Sequence, residues 1–431
     1  GTAAAQYLRA EFGGKPTMVV GCDARDNSRN FARVFCEGAN VGGLSTIQIG
    51  TSTPDMLHFL LGTRKLGSAA FISGGQNALD VNGVRLYRHN GVPLTFDTGL
   101  DKVGLISRRL KPGRSKSPGH DTREDIREKY RSFVLKFAPQ LGQMKVAVDG
   151  ACGIPGRIIP YVLSKLPVAV VRSHAEPNRR SHFVGQPHPS QEIDRSIGDR
   201  IRSSGAQLGI AVDYDGSTCA FYDEDGQRLR HDAVAALLAR ELLHRMPGAR
   251  IAYDLRFTAA VREEILQGGG SPLRVASNPL ALSRTTREQD SVYAGNLNGR
   301  HYFRDMFGGP SPTVALLLMC SLLSRSEQSM SSLAEEVSRY DYVGQLPYKL
   351  PSEEECDAAL EDVRAEFQEA DHDSVEGLTC RFNDWWFNLR KTSGDDTRLE
   401  LTVEGRGESK KRRGREMVDR VLRRHGAQIM E

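Results

Sequence analysis

Phe71-Ile-Ser-Gly-Gly-Gln-Asn-Ala-Leu-Asp-Val-Asn-Gly83 is a small apolar run that ends in a glycine pair, continues through polar residues, and reaches Asn82-Gly83 before Val84-Arg-Leu-Tyr87. That order describes a strand, a tight polar loop and a second strand, with Asn-Gly supplying a turn. Working outward, Thr17-Met-Val-Val-Gly21 reads as a buried strand. Asn30 to Gly42 has apolar positions at helical spacing, and Ser45-Thr-Ile-Gln-Ile49 is a further strand. The rhythm stops near Arg109, where Lys111 to His120 has linker composition, and a charged helix is expected over Asp121–Phe137. It restarts with the strand Lys145-Val-Ala-Val-Asp-Gly150, a helix at Ile154–Leu163, the strand Val168–Val171, a helix closing at Ile201–Gly205 and the strand Leu208–Asp213. A third round has strands at Arg250–Leu255, Pro272–Val275 and Val292–Gly295, then a helix at Pro312–Leu323. Strand–helix alternation of this kind predicts parallel sheets. The C-terminal stretch differs. Asp357–Ala370 reads as a helix, Gly377–Phe382, Asp384–Leu389 and Arg398–Glu404 as strands, the last alternating like a half-buried antiparallel strand, and Lys410–His425 as a basic helix.

With 431 residues the chain exceeds one compact core and predicts about two to four domains. The net charge of +4 is small beside 58 basic and 54 acidic residues, so it favours anionic ligands only weakly and does not point to nucleic acid. The seven cysteines include no Cys-x-x-Cys pair and read as reduced thiols of a cytoplasmic protein. No apolar stretch approaches ~18 residues, which gives no reason to expect a membrane span. The opening Gly1-Thr-Ala-Ala-Ala-Gln-Tyr-Leu8 reads as a helix already under way, with no signal-peptide pattern.

The Phe71–Gly83 stretch resembles the active-site loop of the α-D-phosphohexomutases (phosphomannomutase/phosphoglucomutase type), which reads Thr-Ala-Ser-His-Asn-Pro, a spacer, then Asn-Gly. The resemblance runs in order along essentially the whole chain, although the family's usual first strand and Gly-rich phosphate-contacting segment do not precede Gly1; that part is either trimmed or missing. It implies an α/β fold of three similar mixed α/β domains plus a smaller C-terminal α+β domain around a central cleft, at 1–122, 123–230, 231–342 and 343–431. Each domain is then expected to present one loop to the cleft. In the first, Gly75 stands where the family carries its phosphorylated serine, and Gln76 where it carries His. The second, Asp213-Tyr-Asp-Gly-Ser-Thr218, resembles the magnesium loop Asp-Gly-Asp-Gly-Asp-Arg. Asp213 and Asp215 match, but Ser217 and Thr218 replace the third Asp and the Arg. Two carboxylates without a phosphoserine oxygen make a weak magnesium site, and adjacent aspartates in a turn also serve as caps.

The third loop, Gly295 to Asp305, resembles the sugar-reading Gly-Glu-x-Ser-Gly-His, with Asn296, Asn298 and Arg300 in place of Glu, Ser and His. Arg300 offers a planar fork suited to phosphate or carboxylate. The fourth, Arg390 to Arg398, resembles the phosphate-gripping Arg-x-Ser-Asn/Gly-Thr-Glu-Pro, and the resemblance implies a clamp of Arg390, Thr392, Ser393 and Gly394. Gly21-Cys-Asp-Ala-Arg25 is similar to a Gly-Arg-Asp-x-Arg segment, with Cys22 for the first Arg and Arg25 left to meet an anion. Lys410-Lys-Arg-Arg413 reads as the start of an exposed helix.

Phosphohexomutase chemistry lends a phosphoryl group to the substrate and takes one back, which needs an acceptor oxygen on the enzyme. Glycine has none. Three expectations follow. The chain binds a phosphorylated sugar or nucleotide without catalysis, as a pseudoenzyme with a protein partner left open. Alternatively it runs different chemistry on a sugar phosphate, with Asp213, Asp215, His301 or Tyr214 as acid/base candidates. Or it is a working mutase with a non-standard acceptor. Ser73 sits ~6 Å along the strand from residue 75, which spoils in-line geometry for that role. No cofactor is certain; magnesium is the candidate, at Asp213 and Asp215.

Overall fold

Among the described residues, short β-branched and alanine-rich strands, separated by helices with one apolar face, fold into four sheets. The computed structural model describes residues 1–12, 16–110, 117–392 and 395–430. The first sheet has the order Val84–Arg88, Ser68–Ile72, Thr17–Cys22, Ser45–Thr51, Asp121–Arg123. Thr17–Cys22 pairs in parallel with its neighbours on both sides, and Val84–Arg88 runs antiparallel to Ser68–Ile72. The second sheet repeats the plan with Val168–Ser173, Met144–Asp149, Leu208–Val212 and Cys219–Tyr222. So does the third, with Ser271–Val275, Arg250–Asp254, Tyr293–Gly295 and His301–Phe303. In each, the third parallel strand turns back into an antiparallel partner. The returning strands also share a detail: Tyr87, Tyr222 and Tyr302 each form an isolated bridge a few residues on, to Pro93, Arg228 and Pro310.

The fourth sheet is antiparallel throughout, in the order Asp371–Asp373, Leu378–Arg381, Trp385–Thr392, Asp395–Gly405, Asp341–Lys349, Gln428–Ile429. Helices Glu353–Glu366 and Glu408–Arg424 cover it. Its buried apolar cluster, which includes Tyr348, Val363, Phe387, Leu401 and Leu422, does not merge with the large cluster that runs through the first three sheets from Val19 to Val337. The α/β fold with a C-terminal α+β unit therefore stands as expected.

Local differences have local causes. The helix expected over Asp121–Phe137 is shorter. Asp121–Arg123 is an edge strand pairing with Thr46–Gln48, because Asp121 accepts hydrogen bonds from Thr46 Oγ1 (2.6 Å) and Gln48 Nε2 (2.7 Å). The helix then spans Arg127–Val134. This edge strand straddles position 122, where the first domain was expected to end. The helix expected at Asp357–Ala370 starts earlier, at Glu353, because Ser352 caps it by accepting from Glu355 N. Of the expected linker Lys111–His120, residues 111–116 lie outside the described residues. No helix among the described residues is long and apolar enough to cross a membrane.

Candidate functional site

The three repeated strand-turn-strand hairpins put their connecting loops in equivalent places, and these are the first three loops singled out in the sequence. In the first, Gly75 adopts φ +58, a left-handed conformation that suits glycine. A Cβ built on it would lie 2.5 Å from Arg85 Nη2. The Arg85 guanidinium thus occupies the space that a side chain at position 75 would need. Its Nη2 pairs with Asp215 at 3.0 Å, and Ser73 Oγ donates to the same carboxylate oxygen at 2.9 Å. Arg85 rises from Val84–Arg88, the strand returning from the first loop. Asp215 lies in the second loop, so the pair ties the two loops together.

Arg25 is bonded within its own surroundings and is not turned toward a ligand. Its Nη1 donates to the carbonyls of Ala78 (2.5 Å) and Val81 (2.8 Å), and its Nη2 to those of Gly75 (2.8 Å) and Asn77 (2.9 Å). Its Nε pairs with buried Asp23 at 3.2 Å. Four carbonyls of one loop converge on this single guanidinium, so Arg25 serves as the internal brace of the first loop. That corrects its expected role in substrate binding.

In the second loop, Asp213 Oδ1 accepts from the main-chain N–H groups of Gly216, Ser217 and Thr218 at 2.8–3.0 Å. Asp215 Oδ1 accepts from Ser217 N at 3.1 Å and also from the Ser217 hydroxyl. Burial alone would raise the Asp215 carboxyl, but Arg85, Ser217, Ser73 and Arg300 hold it below its ordinary value. Burial and the Asp215 charge push Asp213 up. This donor set does not fit a divalent cation. Asp213 Oδ1 and both Asp215 oxygens already accept from N–H and O–H donors, and the Arg85 guanidinium lies 3.0 Å from Asp215 Oδ2. Among the described residues no three His, Cys, Asp or Glu cluster as metal ligands, and magnesium requires several oxygens in near-octahedral array. Tyr214 points away, its hydroxyl donating to Asn178 O at 3.1 Å.

The third loop packs on the second, with Cys219 N donating to Gly299 O at 2.9 Å. Asn296 is fully buried and organises its own turn: Oδ1 accepts from Asn298 N and Arg300 N, both at 3.1 Å, and Nδ2 donates to Ser277 O at 3.0 Å. At 0% exposure it offers no surface to a sugar hydroxyl. Asn298 is exposed and bonds Gln345 Nε2 at 3.2 Å. Arg300 is half-buried, and its guanidinium makes no hydrogen bond or ion pair among the described residues. Its charge nonetheless adds to what holds Asp215 down, and it opposes the burial that raises Tyr87 and Tyr302. His301, an acid/base candidate in the sequence, is a core residue: 1% exposed, its Nδ1 held by the Tyr293 hydroxyl at 2.8 Å, and pushed down to about 3 by burial with a smaller contribution from His231.

The fourth region departs most from expectation. Arg390 belongs to the strand Trp385–Thr392 rather than to a loop. Its guanidinium is held at 2.6 Å by Glu376 and at 2.5 Å by Glu400, its direct cross-strand partner. Glu376 also accepts from Ser277 N (2.7 Å) and Oγ, which joins the fourth sheet to the turn after Ser271–Val275. Arg390 is therefore neutralised structural charge, not an open phosphate clamp. Thr392 lies half-buried at the strand end, with its Oγ1 unpartnered among the described residues. Ser393 and Gly394, also assigned to the clamp, lie outside the described residues. The sequence reading missed Arg85, Ser277, Glu376 and Glu400. The signal for Glu400 was present in the antiparallel register of the two strands, and for Arg85 in its place just past Asn82-Gly83.

Residues 1–103 match the family model for phosphoglucomutase/phosphomannomutase, alpha/beta/alpha domain I, and residues 128–226 match domain II of the same family. The chain is similar to a phosphomannomutase of Salmonella montevideo, 27% identical over 421 residues that cover 95% of this chain and 90% of the relative. Its fold is similar to that of a phosphoglucomutase/phosphomannomutase family protein from Burkholderia thailandensis, with TM-score 0.87 at 21% identity, covering 99% of this chain and 93% of that one. It is also similar to an N-acetylphosphoglucosamine mutase of Aspergillus fumigatus solved in complex with GlcNAc-6P and magnesium, with TM-score 0.58 at 11% identity, covering 96% and 84% of the two chains.

Proposed function

The chain belongs to the α-D-phosphohexomutase superfamily, and from that premise we propose that it holds a phosphorylated sugar, or a nucleotide, in the cleft between its loops without lending it a phosphoryl group. Each of the four units, expected at 1–122, 123–230, 231–342 and 343–431, supplies one wall, with Asp121–Arg123 assigned to the first and Asp341–Lys349, a strand of the fourth sheet, to the fourth. The observation that carries this reading is the Arg85 guanidinium, seated where a side chain at position 75 would stand and paired at 3.0 Å with Asp215. A mutase needs an acceptor oxygen and mobile positive charge on the phosphoryl group in flight. Gly75 offers no oxygen. Arg85 is committed to Asp215, and as an arginine it keeps its proton and cannot serve as a base.

The same residues suit binding. Arg300 brings an unpaired guanidinium to the edge of the Asp215–Arg85 pair, and a planar fork grips a phosphate dianion in two places. Phosphate recognition is thus assigned to Arg300, with Arg85 in support, rather than to Arg390. The test is calorimetric titration with glucose 6-phosphate and mannose 1-phosphate, alongside intact-mass measurement after incubation with glucose 1,6-bisphosphate. Saturable binding with no covalent phosphate is expected. Brisk interconversion of hexose 1- and 6-phosphates would overturn the proposal.

A second reading rests on Ser73, whose hydroxyl donates to Asp215 in the manner of a nucleophile beside its base. Ser73 is 4% exposed and also accepts from Gly75 N at 2.9 Å, so phosphorus could reach it only after both bonds part. A phosphoenzyme that forms in the wild type and vanishes in Ser73→Ala would establish it as a non-standard acceptor.

A further inference from the structure

Away from the loops, the helical segment Arg127–Phe137, the helix His231–Arg245 and the turn after His301–Phe303 line a half-open cavity of about 680 Å³. That volume lies within the usual range for small-molecule sites, about 300–1,000 Å³. Phe133, Phe137, Leu242, Met246, Phe303 and Phe307 give it an apolar wall. Phe133 and Phe307 stack, with centroids 6.0 Å apart and planes inclined by 28°. A cation stands over each ring of this pair: Lys136 Nζ lies 5.5 Å from the Phe133 centroid, and Arg287 Cζ lies 5.8 Å from that of Phe307.

Charge in the cavity is unbalanced. Arg304 is paired with Asp290 and Asp305, each at 3.0 Å, and Arg245 with Glu241 at 2.6 Å. Lys136 and Arg287 have no ion-pair partner among the described residues. Arg287 donates only to main-chain carbonyls, Asn90 O at 2.8 Å and Arg304 O at 3.3 Å. Burial disfavours its charged form, and Asp305 offsets this only in part. Asp305, already paired with Arg304, is the one carboxylate in the lining, so the half-buried Arg287 and the Lys136 at the rim are left without an anion of their own among the described residues. A sugar phosphate does not suit this chamber, whose wall offers few groups for hydroxyls. We propose that the cavity is a binding site for an amphipathic carboxylate, a medium-length acyl or aryl acid whose apolar body lies on the Phe133–Phe307 pair and whose carboxylate bridges Lys136 and Arg287.

The site would also report on the first unit. The Phe307 ring lies against Gly62, where a Cβ would come within 2.0 Å of it, and Phe307 O contacts His58 Nδ1 at 3.2 Å. Both residues belong to the helix Pro54–Thr63.

The experiment is calorimetric titration of the full chain with decanoate, with decanol as the neutral comparison and glucose 6-phosphate as a competitor. Decanoate should bind at one site per chain, about tenfold more tightly than decanol, and glucose 6-phosphate should not compete. Lys136→Gln and Arg287→Gln should each weaken decanoate about tenfold while leaving decanol unchanged. Equal affinity for acid and alcohol, several weak sites per chain, or unchanged decanoate binding in Lys136→Gln would each overturn the proposal. Lys136 is exposed, so its variant decides the matter even where Arg287→Gln does not fold.

Discussion

Arg300 and Arg390 are residues of one type, each beside a loop that resembles a ligand-reading loop, and their surroundings differ. Arg390 lies between Glu376 and Glu400 on an antiparallel sheet whose register fixes the pairing. Arg300 follows a buried asparagine turn that holds its backbone, while its guanidinium has no ion-pair partner among the described residues. Motif position therefore identifies a cation, but only the count of nearby carboxylates tells whether that cation can serve a ligand. One arginine stabilises the chain, and the other is available to bind.

The sharpest way to break this contrast is Arg390→Gln. Loss of one member of a half-buried ionic triad leaves two carboxylates facing each other. Denaturant unfolding should register a loss of about 3 kcal/mol, with sugar-phosphate affinity in the folded protein within about a factor of two of wild type. A collapse of affinity at unchanged stability would return the clamp to Arg390. Next comes Arg300→Gln, expected to weaken glucose 6-phosphate by about 2 kcal/mol, roughly thirtyfold, while the unfolding midpoint stays put. Calorimetric titration and urea melts on the same preparation check both halves.

Arg85→Gln should cost about 1.5 kcal/mol, since Asp215 keeps its serine donors and Arg85 is partly exposed. Its pH dependence carries the sign. Asp215 is held below its ordinary value in the folded chain, so the stability this gives is fully present above about pH 4 and is lost as pH falls through the depressed value. The gap between wild type and variant should accordingly be widest near neutrality and close in acid. A gap that widened on acidification would count against the pairing. The smallest effect is expected for Gly75→Ser, which adds a side chain at positive φ against Arg85: about 1 kcal/mol of stability lost, and no phosphoenzyme by intact mass after treatment with glucose 1,6-bisphosphate.

How much of this was legible beforehand can be judged from particular residues. The strands at Thr17, Ser68, Met144, Leu208 and Arg250 are short, apolar and separated by helix-period segments, so the α/β plan and the order of the loops could be read from pattern alone. Asp121–Arg123 could not, because three polar residues at a sheet edge look like the first turn of the charged helix behind them. Arg25 and Asn296 read as ligand contacts because a sequence displays a polar side chain without the carbonyls and N–H groups that its own loop turns toward it. Arg390 was misjudged for a related reason: Glu376 and Glu400 lie fourteen residues before and ten after it, and only the sheet register brings them to its two faces. The vacancy at Gly75 was visible as a missing oxygen. Its filling by Arg85 was not, since that depends on how a hairpin closes.

The apolar interior of the C-terminal unit is separate from that of the other three, and the seam between them includes polar links such as Arg274–Asp373, Ser277–Glu376 and Ala259 N to Glu404. Swinging that unit outward would part these charged links, so the motion should respond to ionic strength. Added salt is then a dial on how widely the cleft gapes, one that scattering profiles recorded across a salt series would register as a growing radius of gyration.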